Sequence, residues 1–474
     1  MFQLNLKNFR SFKNQSFTFS KINILIGENS SGKSSLLKLF LALKQSLTFP
    51  NSKDINFAFA GEFTDLGSYK DAIYYNDTSL PFEFSFTLYE DYLEYFYEFL
   101  NHDEINENVQ NYFNDFFDKP PKGSTEVTYK ITSELDKREN ITINLKNDSV
   151  GLLEIKHNPT SNEENTVRFS EPKCEIFFKP SHSNELIHLS NIEYIKEGFT
   201  SLITGSSLKS HLKKFYDVES NPKNEILADS TFHRIAFLLI AQNSIIEKID
   251  NFDYINPIKT SPSRFYLHRD IKQQQSIADI EDLVDFFSRK SETSKVAFKD
   301  FVMLLRKFGI VDDLEIITSK DLPVRELKVK VKDLFSNITD VGYGVSLIMP
   351  ILLKSLLSEI IIKREGSILL IEQPEVHLHP KLHSQLIEAI VDLSNSTSYF
   401  IETHSEHIIR KLQVLVKNKH NNIEPKDISI HYLKREKKRT LVSSHSIDTE
   451  GRLNPTFPSG FFDNSYLLSK ELLD

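Results

Sequence analysis

Ile22-Asn23-Ile24-Leu25-Ile26-Gly27-Glu28-Asn29-Ser30-Ser31-Gly32-Lys33-Ser34-Ser35 decides the reading of this chain. A short apolar run ends in glycine and passes straight into a G-x₄-G-K-S pattern. The run reads as a strand, and Lys33 to Leu43 switches to helical spacing with Leu36, Leu37, Phe40 and Leu43 on one face. In that frame the glycines let successive backbone N–H groups turn inward around phosphate oxygens. The helix that follows aims its partial positive end at the same point. Lys33 supplies a point charge for the β- and γ-phosphates of ATP, and Ser34 a hydroxyl ligand for Mg²⁺. Gly27, Glu28, Asn29, Ser30, Ser31, Gly32, Lys33, Ser34 and Ser35 are therefore candidate nucleotide-binding residues. A glycine-containing turn with a chance lysine is the bland alternative, and the strand–helix frame argues against it.

Working outward, Phe2–Leu6 and Phe17–Phe19 have the period of a hairpin pair, and Phe82, Phe84, Phe86 and Leu88 alternate as a strand. Asp91–Phe117 is Phe/Tyr-rich and predicts a helix stopped by Pro120-Pro121. Strand-like runs follow at Glu126–Ile131, Asn140–Leu145 and Cys174–Phe178, then a helical pattern from about Leu186 to Ile249. Past residue 275, Ile277–Ser288 and Val296–Phe308 predict helices and Glu326–Val331 a strand. A helix is expected from Ser346 to about Glu359, a buried strand over Ser367–Ile371, a helix over Lys381–Leu393 and a strand over Ser398–Ile401. Strands alternating with helices imply an α/β fold with a largely parallel sheet and ligands at its carboxyl edge. The expected organisation is residues 1–90 as the first part of a nucleotide-binding head, 91–260 as an α+β insertion, 261–420 as the second part of the head, and 421–474 as a β-hairpin tail.

Composition narrows the function classes. The 474 residues carry a net charge of −9 with 39% hydrophobic residues, which excludes wholesale disorder and a general nucleic-acid coat protein. The single cysteine, Cys174, excludes a disulfide framework and a Cys₄ zinc site. Met1 to Arg10 has no apolar leader core, and the run Ile348 to Ile362 is broken by Lys354 and Glu359. A cytoplasmic protein without a membrane span is expected.

Two further segments carry chemistry. In Ser367-Ile368-Leu369-Leu370-Ile371-Glu372-Gln373-Pro374-Glu375, four apolar residues end in a carboxylate, as a buried central strand must to hold Mg²⁺ beside a phosphate loop. Glu372 is the candidate metal-side acid. Thr403-His404-Ser405 closes the next strand, so its side chains are expected at the same edge, with His404 sensing the γ-phosphate.

These segments resemble an ATPase of the ABC superfamily, in the soluble branch of SMC-type and OLD-family proteins. Within it the chain is similar to bacterial AAA-type ATPases encoded in antiphage loci. The resemblance is carried by Asn8-Phe9-Arg10-Ser11-Phe12, the phosphate loop, Asp340-Val341-Gly342-Tyr343-Gly344-Val345-Ser346, and the acidic strand running into His377-Leu378-His379-Pro380. Glu402-Thr403-His404-Ser405-Glu406-His407 and the tail Gly451-Arg452-Leu453…Pro458-Ser459-Gly460-Phe461-Phe462-Asp463 belong to it too. It covers both ends of the chain and hardly touches residues 90–260. It implies an ABC-type ATPase head, a mixed sheet with a P-loop, in which Arg10 joins the nucleotide-binding set. It also implies that two heads face each other as a homo-oligomer, each ATP lying between one P-loop and the other copy's signature segment. Here that segment is Gly342-Tyr343-Gly344-Val345-Ser346. Aligning glycines puts Gly342 at the family's serine position, whereas aligning serines selects Ser346, and the residues are compatible with either alignment.

One departure has chemical weight. The family's usual water-activating glutamate is here Gln373, and an amide cannot accept a proton as a general base near neutral pH. It can orient water, and Glu375 lies two residues on as a substitute. Slow hydrolysis and a long-lived ATP-bound dimer are therefore expected. His377, His379 and His383 have ligand-like spacing, but the resemblance places them in a loop facing the partner head. The basic run Lys434-Arg435-Glu436-Lys437-Lys438-Arg439 reads as a solvated hairpin tip, with nucleic-acid backbone contact as its alternative. No C-x-x-C occurs for a zinc hook, and the stretch after His404 is too short for a Toprim nuclease. The expected function is an ATP-driven sensor and scaffold controlling a separate effector, a nuclease or toxin. A DNA repair or maintenance ATPase is the alternative, and a transporter subunit the least supported class.

Overall fold

The computed structural model describes residues 2–48, 57–89, 123–133, 139–158, 173–181, 186–189, 194–197, 200–203, 205–256, 261–267, 277, 279–289, 291–360, 367–458 and 471. The helix expected over Asp91–Phe117 and the Ser459–Asp463 part of the tail lie outside them. The chain divides into two compact units: Met1–Phe19, Lys38–Asp250 and Arg435–Leu441 form one, and Ser20–Leu37, Asn251–Lys434 and Val442–Asp474 the other.

The first unit is built on an eight-stranded antiparallel sheet. Its spatial order is Phe12–Phe19, Phe2–Phe9, Phe82–Leu88, Thr125–Ser133, Glu139–Asn147, Gly151–Asn158, Lys173–Pro180 and Ile187–Leu189. The opening hairpin pairs Phe2 with Phe19 and Leu4 with Phe17, so the alternate phenylalanines share one face. Phe9, Phe12, Phe17, Phe19, Phe82 and Phe84 are buried, and Phe84 stacks on Tyr129 at 5.0 Å. Such ring pairs contribute about 1 kcal/mol each beyond the area they bury. The long helix Glu225–Asp250 packs against the middle strands of this sheet.

Two differences from the pattern reading have local causes. Strand Gly151–Asn158 escapes periodicity because Leu152 is exposed while Leu153 and Ile155 are buried, so an unbroken apolar pair hides the alternation. The region expected to be helical from Leu186 begins instead with short strands Ile187–Leu189, Tyr194–Glu197 and Thr200–Ile203; helices Gly205–Phe215 and Glu225–Asp250 follow. Three- and four-residue strands are shorter than the window in which a period can be read.

In the second unit, five strands run parallel in the order Phe252–Ile255, Ser367–Glu372, Thr397–Glu402, Ile22–Gly27 and Ile428–Glu436. Arg439–Ile447 and Leu453–Asn454 extend that sheet. Ile22–Gly27 is buried at every position, as a strand covered on both faces must be. Helices Ile280–Phe287, Glu292–Lys307, Tyr343–Ile360, Pro380–Asp392 and Glu406–Lys417 supply the cover. Their apolar faces and the strands merge into one core containing Ile24, Leu283, Phe301, Ile351, Leu369, Ile390, Ile401 and Leu412. A smaller antiparallel sheet of Tyr266–Leu267, Asp313–Thr318, Val324–Val331 and Leu334–Asn337 completes the unit. The α/β class with a mixed sheet is thus as read: one of the two large sheets has a parallel core, with Arg439–Ile447 and Leu453–Asn454 pairing antiparallel at its edge.

Gly27 shows how closely the strands approach. Its φ is +151°, and a Cβ built there would lie 2.0 Å from the Leu433 carbonyl oxygen on the neighbouring strand. Gly27→Ala is expected to force these strands apart and cost ~3 kcal/mol or more, read as a lower urea midpoint. An unchanged midpoint would show that the loop base relaxes freely.

Candidate functional site

Parallel pairing brings the chemistry to one edge. Glu372 lies opposite Glu402 in the register of their strands, and Glu402 lies opposite Leu25. The three strands therefore end together, with Gly27 two residues past Leu25. Pairing continues beyond the strand ends: the Gln373 N–H donates to the Glu402 carbonyl at 2.8 Å, and the Thr403 N–H to the Leu25 carbonyl at 3.0 Å. Gln373 adopts φ +43°, a left-handed conformation uncommon for a residue with a side chain and a recurrent feature of functional turns.

The phosphate loop bridges strand Ile22–Gly27 and helix Lys33–Thr48. Glu28, Asn29 and Ser30 are exposed at its tip, Ser31 and Lys33 are buried, and Gly32, Ser34 and Ser35 are half-buried. Ser30 and Gly32 both have positive φ, which lets the loop turn back on the helix. The Lys33 ammonium donates to the carbonyls of Gly27 at 3.0 Å and Glu28 at 2.7 Å, curling the loop around its own lysine. Burial lowers the Lys33 pKa, and the carboxylates of Glu402, Glu375 and Glu28 oppose that shift.

The acids divide the work in a way the sequence reading did not anticipate. The Ser34 hydroxyl donates to Glu402 Oε1 at 2.9 Å. Glu372 Oε2 accepts from the Tyr254 hydroxyl at 2.7 Å. Glu402 is 2% exposed, and its second oxygen, Oε2, is buried without a hydrogen-bond partner. Burial first, then the facing Glu372 carboxylate, push the Glu402 carboxyl up to about 7. Burial and Glu372 raise the Tyr254 phenol well above its ordinary value, so it remains a hydrogen-bond donor at neutral pH. Glu402 stands at the end of a buried apolar strand, the same signal that marked Glu372, and could have been found by it. Tyr254 carried no sequence signal.

Glu375 Oε1 accepts the His404 backbone N–H at 2.6 Å, tying together the loops that follow the two acidic strands. Burial raises the Glu375 pKa. The partial covering of His404, with Lys33 as a like charge, lowers its pKa and favours the neutral ring. The structure therefore brings Lys33, Ser34, Glu372, Gln373, Glu375, Glu402 and His404 to one sheet edge.

Helix Tyr343–Ile360 starts three residues before the expected Ser346, so Ser346 sits in the first turn and not at the cap. It is buried, and its hydroxyl is spent on the Tyr343 carbonyl at 2.7 Å, whereas Gly342 is exposed. A Cβ on Gly344 would come within 3.1 Å of Leu378 and Leu382, and the Tyr343 ring lies 5.8 Å from that of His377, so this segment rests on the loop after Glu372. Arg10, in the other unit, has φ +48° and donates to the Leu66 carbonyl at 3.4 Å, with Asp65 and Asp71 as nearby carboxylates.

His377, His379 and His383 do not converge: His379 Nδ1 accepts from the Lys381 N–H, while His383 contacts Ser405 Oγ at 2.8 Å and the Leu378 carbonyl at 3.1 Å. Among the described residues no group of three or more His, Cys, Asp or Glu side chains could hold a metal by itself. The Ser34 hydroxyl and the two carboxylates are nonetheless hard oxygen donors, and one buried carboxylate oxygen lacks a partner. That set fits Mg²⁺, which takes one or two carboxylates and completes its shell with phosphate and water.

A family model described as AAA ATPase domain matches residues 1–409. The chain belongs to that family. A second model, described as a protein of unknown function (DUF3696), matches residues 423–471 of this AAA ATPase. Among solved structures it is similar to the SMC head domain from Thermotoga maritima, at 10% identity over 93% of this chain and 97% of that one, with a TM-score of 0.36. It is also similar to an Smc head domain with an extended coiled coil bound to the C-terminal domain of ScpA derived from Pyrococcus furiosus. There the identity is 11%, both chains are covered in full, and the TM-score is 0.38. No curated protein matches. Among the described residues no helix is long and apolar enough to cross a membrane.

Proposed function

We propose that this AAA ATPase binds ATP with Mg²⁺ at the Gly27–Ser35 loop, hydrolyses it slowly, and assembles with a second copy around the nucleotide. The observation that carries the reading is the shared edge of three parallel strands, which sets Lys33 and Ser34 beside Glu372, Gln373 and His404. Lys33 would hold the β- and γ-phosphates, and Ser34 and Glu372 would hold Mg²⁺, which when bound would supply neutralisation of charge on the phosphoryl group. Gln373 orients the attacking water without removing its proton, and neutral His404 donates to the γ-phosphate. The second copy contributes Gly342 and Gly344, whose small size allows close backbone approach to an anion. Its fold and loop order fit an ABC-type head of the SMC- and OLD-like branch. A fluorescent ATP analogue is expected to bind at one site per chain, and light scattering to show the mass doubling with ATP. Absence of saturable binding would end the reading.

The sensor-and-scaffold role, with a nuclease or toxin as effector in antiphage defence, is supported by the sequence resemblance. A DNA-gripping role is favoured by one surface: the hairpin tip carries Arg435, Lys437, Lys438 and Arg439, and the Lys438 ammonium sits 4.9 Å from the exposed Tyr75 ring. A duplex affinity that falls steeply with salt would select that role over the first.

A further inference from the structure

Phosphate-loop serines present a hydroxyl whose oxygen can bind a cation only if its proton is directed elsewhere. In this protein that proton goes to Glu402, at 2.9 Å, from a strand other than the one that carries Glu372. Glu402 is fully enclosed, its second oxygen has no protein partner, and the Glu372 strand lies directly beside it. The half-buried Glu372 carboxylate repels the buried Glu402 carboxylate, and burying an uncompensated carboxylate is costly. A divalent cation relieves both penalties at once. Glu372 in turn is not loose: the Tyr254 hydroxyl grips its Oε2, and the Tyr254 carbonyl accepts from the buried Lys354 ammonium at 3.2 Å, which also pairs with Asp253 at 2.6 Å. Lys354 lies on helix Tyr343–Ile360, so the backbone of the strand that carries Tyr254 is tied to that helix.

We propose that Glu402 is a second acid of the cation site, orienting the Ser34 hydroxyl through one oxygen and offering the other to the ion or its water, and that Tyr254 is the positioning residue for Glu372. This inference rests on the nucleotide-site reading above. It assigns the ion two carboxylates from adjacent strands where the sequence pattern indicated one.

The test is Mn²⁺ affinity of the ATP-loaded full chain, read by electron paramagnetic resonance, alongside ATP affinity in EDTA. Glu402→Gln keeps the shape and can still accept from Ser34, so ATP affinity without metal is expected to be unchanged or tighter. Mn²⁺ affinity is expected to fall about tenfold or more, and Tyr254→Phe to lower it by a smaller factor. A structural role for Glu402 would move the melting temperature and leave Mn²⁺ affinity of the folded variant within twofold of wild type; that result overturns the proposal while the nucleotide site stands. Failure of the wild-type chain to bind ATP overturns the site reading itself. Should the glutamine variant not fold, Glu402→Asp carries the test: it keeps the charge but withdraws it by one methylene, and Mn²⁺ binding at wild-type strength would again overturn the assignment.

Discussion

Lys33→Ala is expected to weaken ATP binding by about a hundredfold and to abolish ATP-dependent assembly. Lys33 is 4% exposed, and its ammonium is the loop's own internal donor to Gly27 and Glu28. A triphosphate offers this cation charged acceptors in place of neutral carbonyls, and charge-assisted bonds contribute about 1.5–3 kcal/mol each. At 1.4 kcal/mol per factor of ten, the upper part of that range gives the expected loss. The alanine also leaves two loop carbonyls without their donor, so the variant should melt lower even without nucleotide. Lys33→Met keeps the apolar stem and removes the ammonium with its charge and donors, so comparison of the two variants isolates the loss of stem packing. Equilibrium titration with a fluorescent ATP analogue is the measurement, and unchanged affinity in both variants would refute the phosphate-loop assignment.

Gln373→Glu is expected to accelerate steady-state phosphate release by roughly tenfold or more, since a positioned general base is worth about 10²–10⁴ in rate. Amide and carboxylate are isosteric, so the left-handed backbone at Gln373 and its N–H bond to the Glu402 carbonyl should persist. Glu375, the other candidate base, has one oxygen engaged by the His404 N–H at 2.6 Å, which gives it a tie between loops as its present task. Single-turnover phosphate release in both proteins decides between them. No gain in the glutamate variant would mean that Glu375 or another group already accepts the proton.

Much of this was legible in one dimension because its signals are local. A phosphate loop needs its glycines, lysine and serine within eight residues, between a strand and a helix, and Ile22–Gly27 and Lys33–Thr48 flank it as the apolar spacing implies. Glu372 was legible because an acid ending a run of four apolar residues contradicts burial. The start of helix Tyr343–Ile360 was not, since a preceding glycine is compatible with either boundary and the Tyr343 ring against His377 is a contact between distant segments. The strand at Gly151–Asn158 was hidden by Leu152, whose exposure depends on which face of the sheet is covered.

Order along the chain, then, determined the strand, glycine-containing turn and helix around Gly27–Ser35 and the acid that ends the apolar strand at Glu372, because both follow from residues adjacent in the backbone. Only the tertiary structure decided which acid takes the Ser34 proton, that Tyr254 holds Glu372, and that Glu375 ties down His404. Those pairings are set by the register of parallel strands whose connections run through helices and, between Gly27 and Phe252, through most of another unit. Hydrogen-bond partners across such distances are fixed by packing, and no local pattern of residue types encodes them.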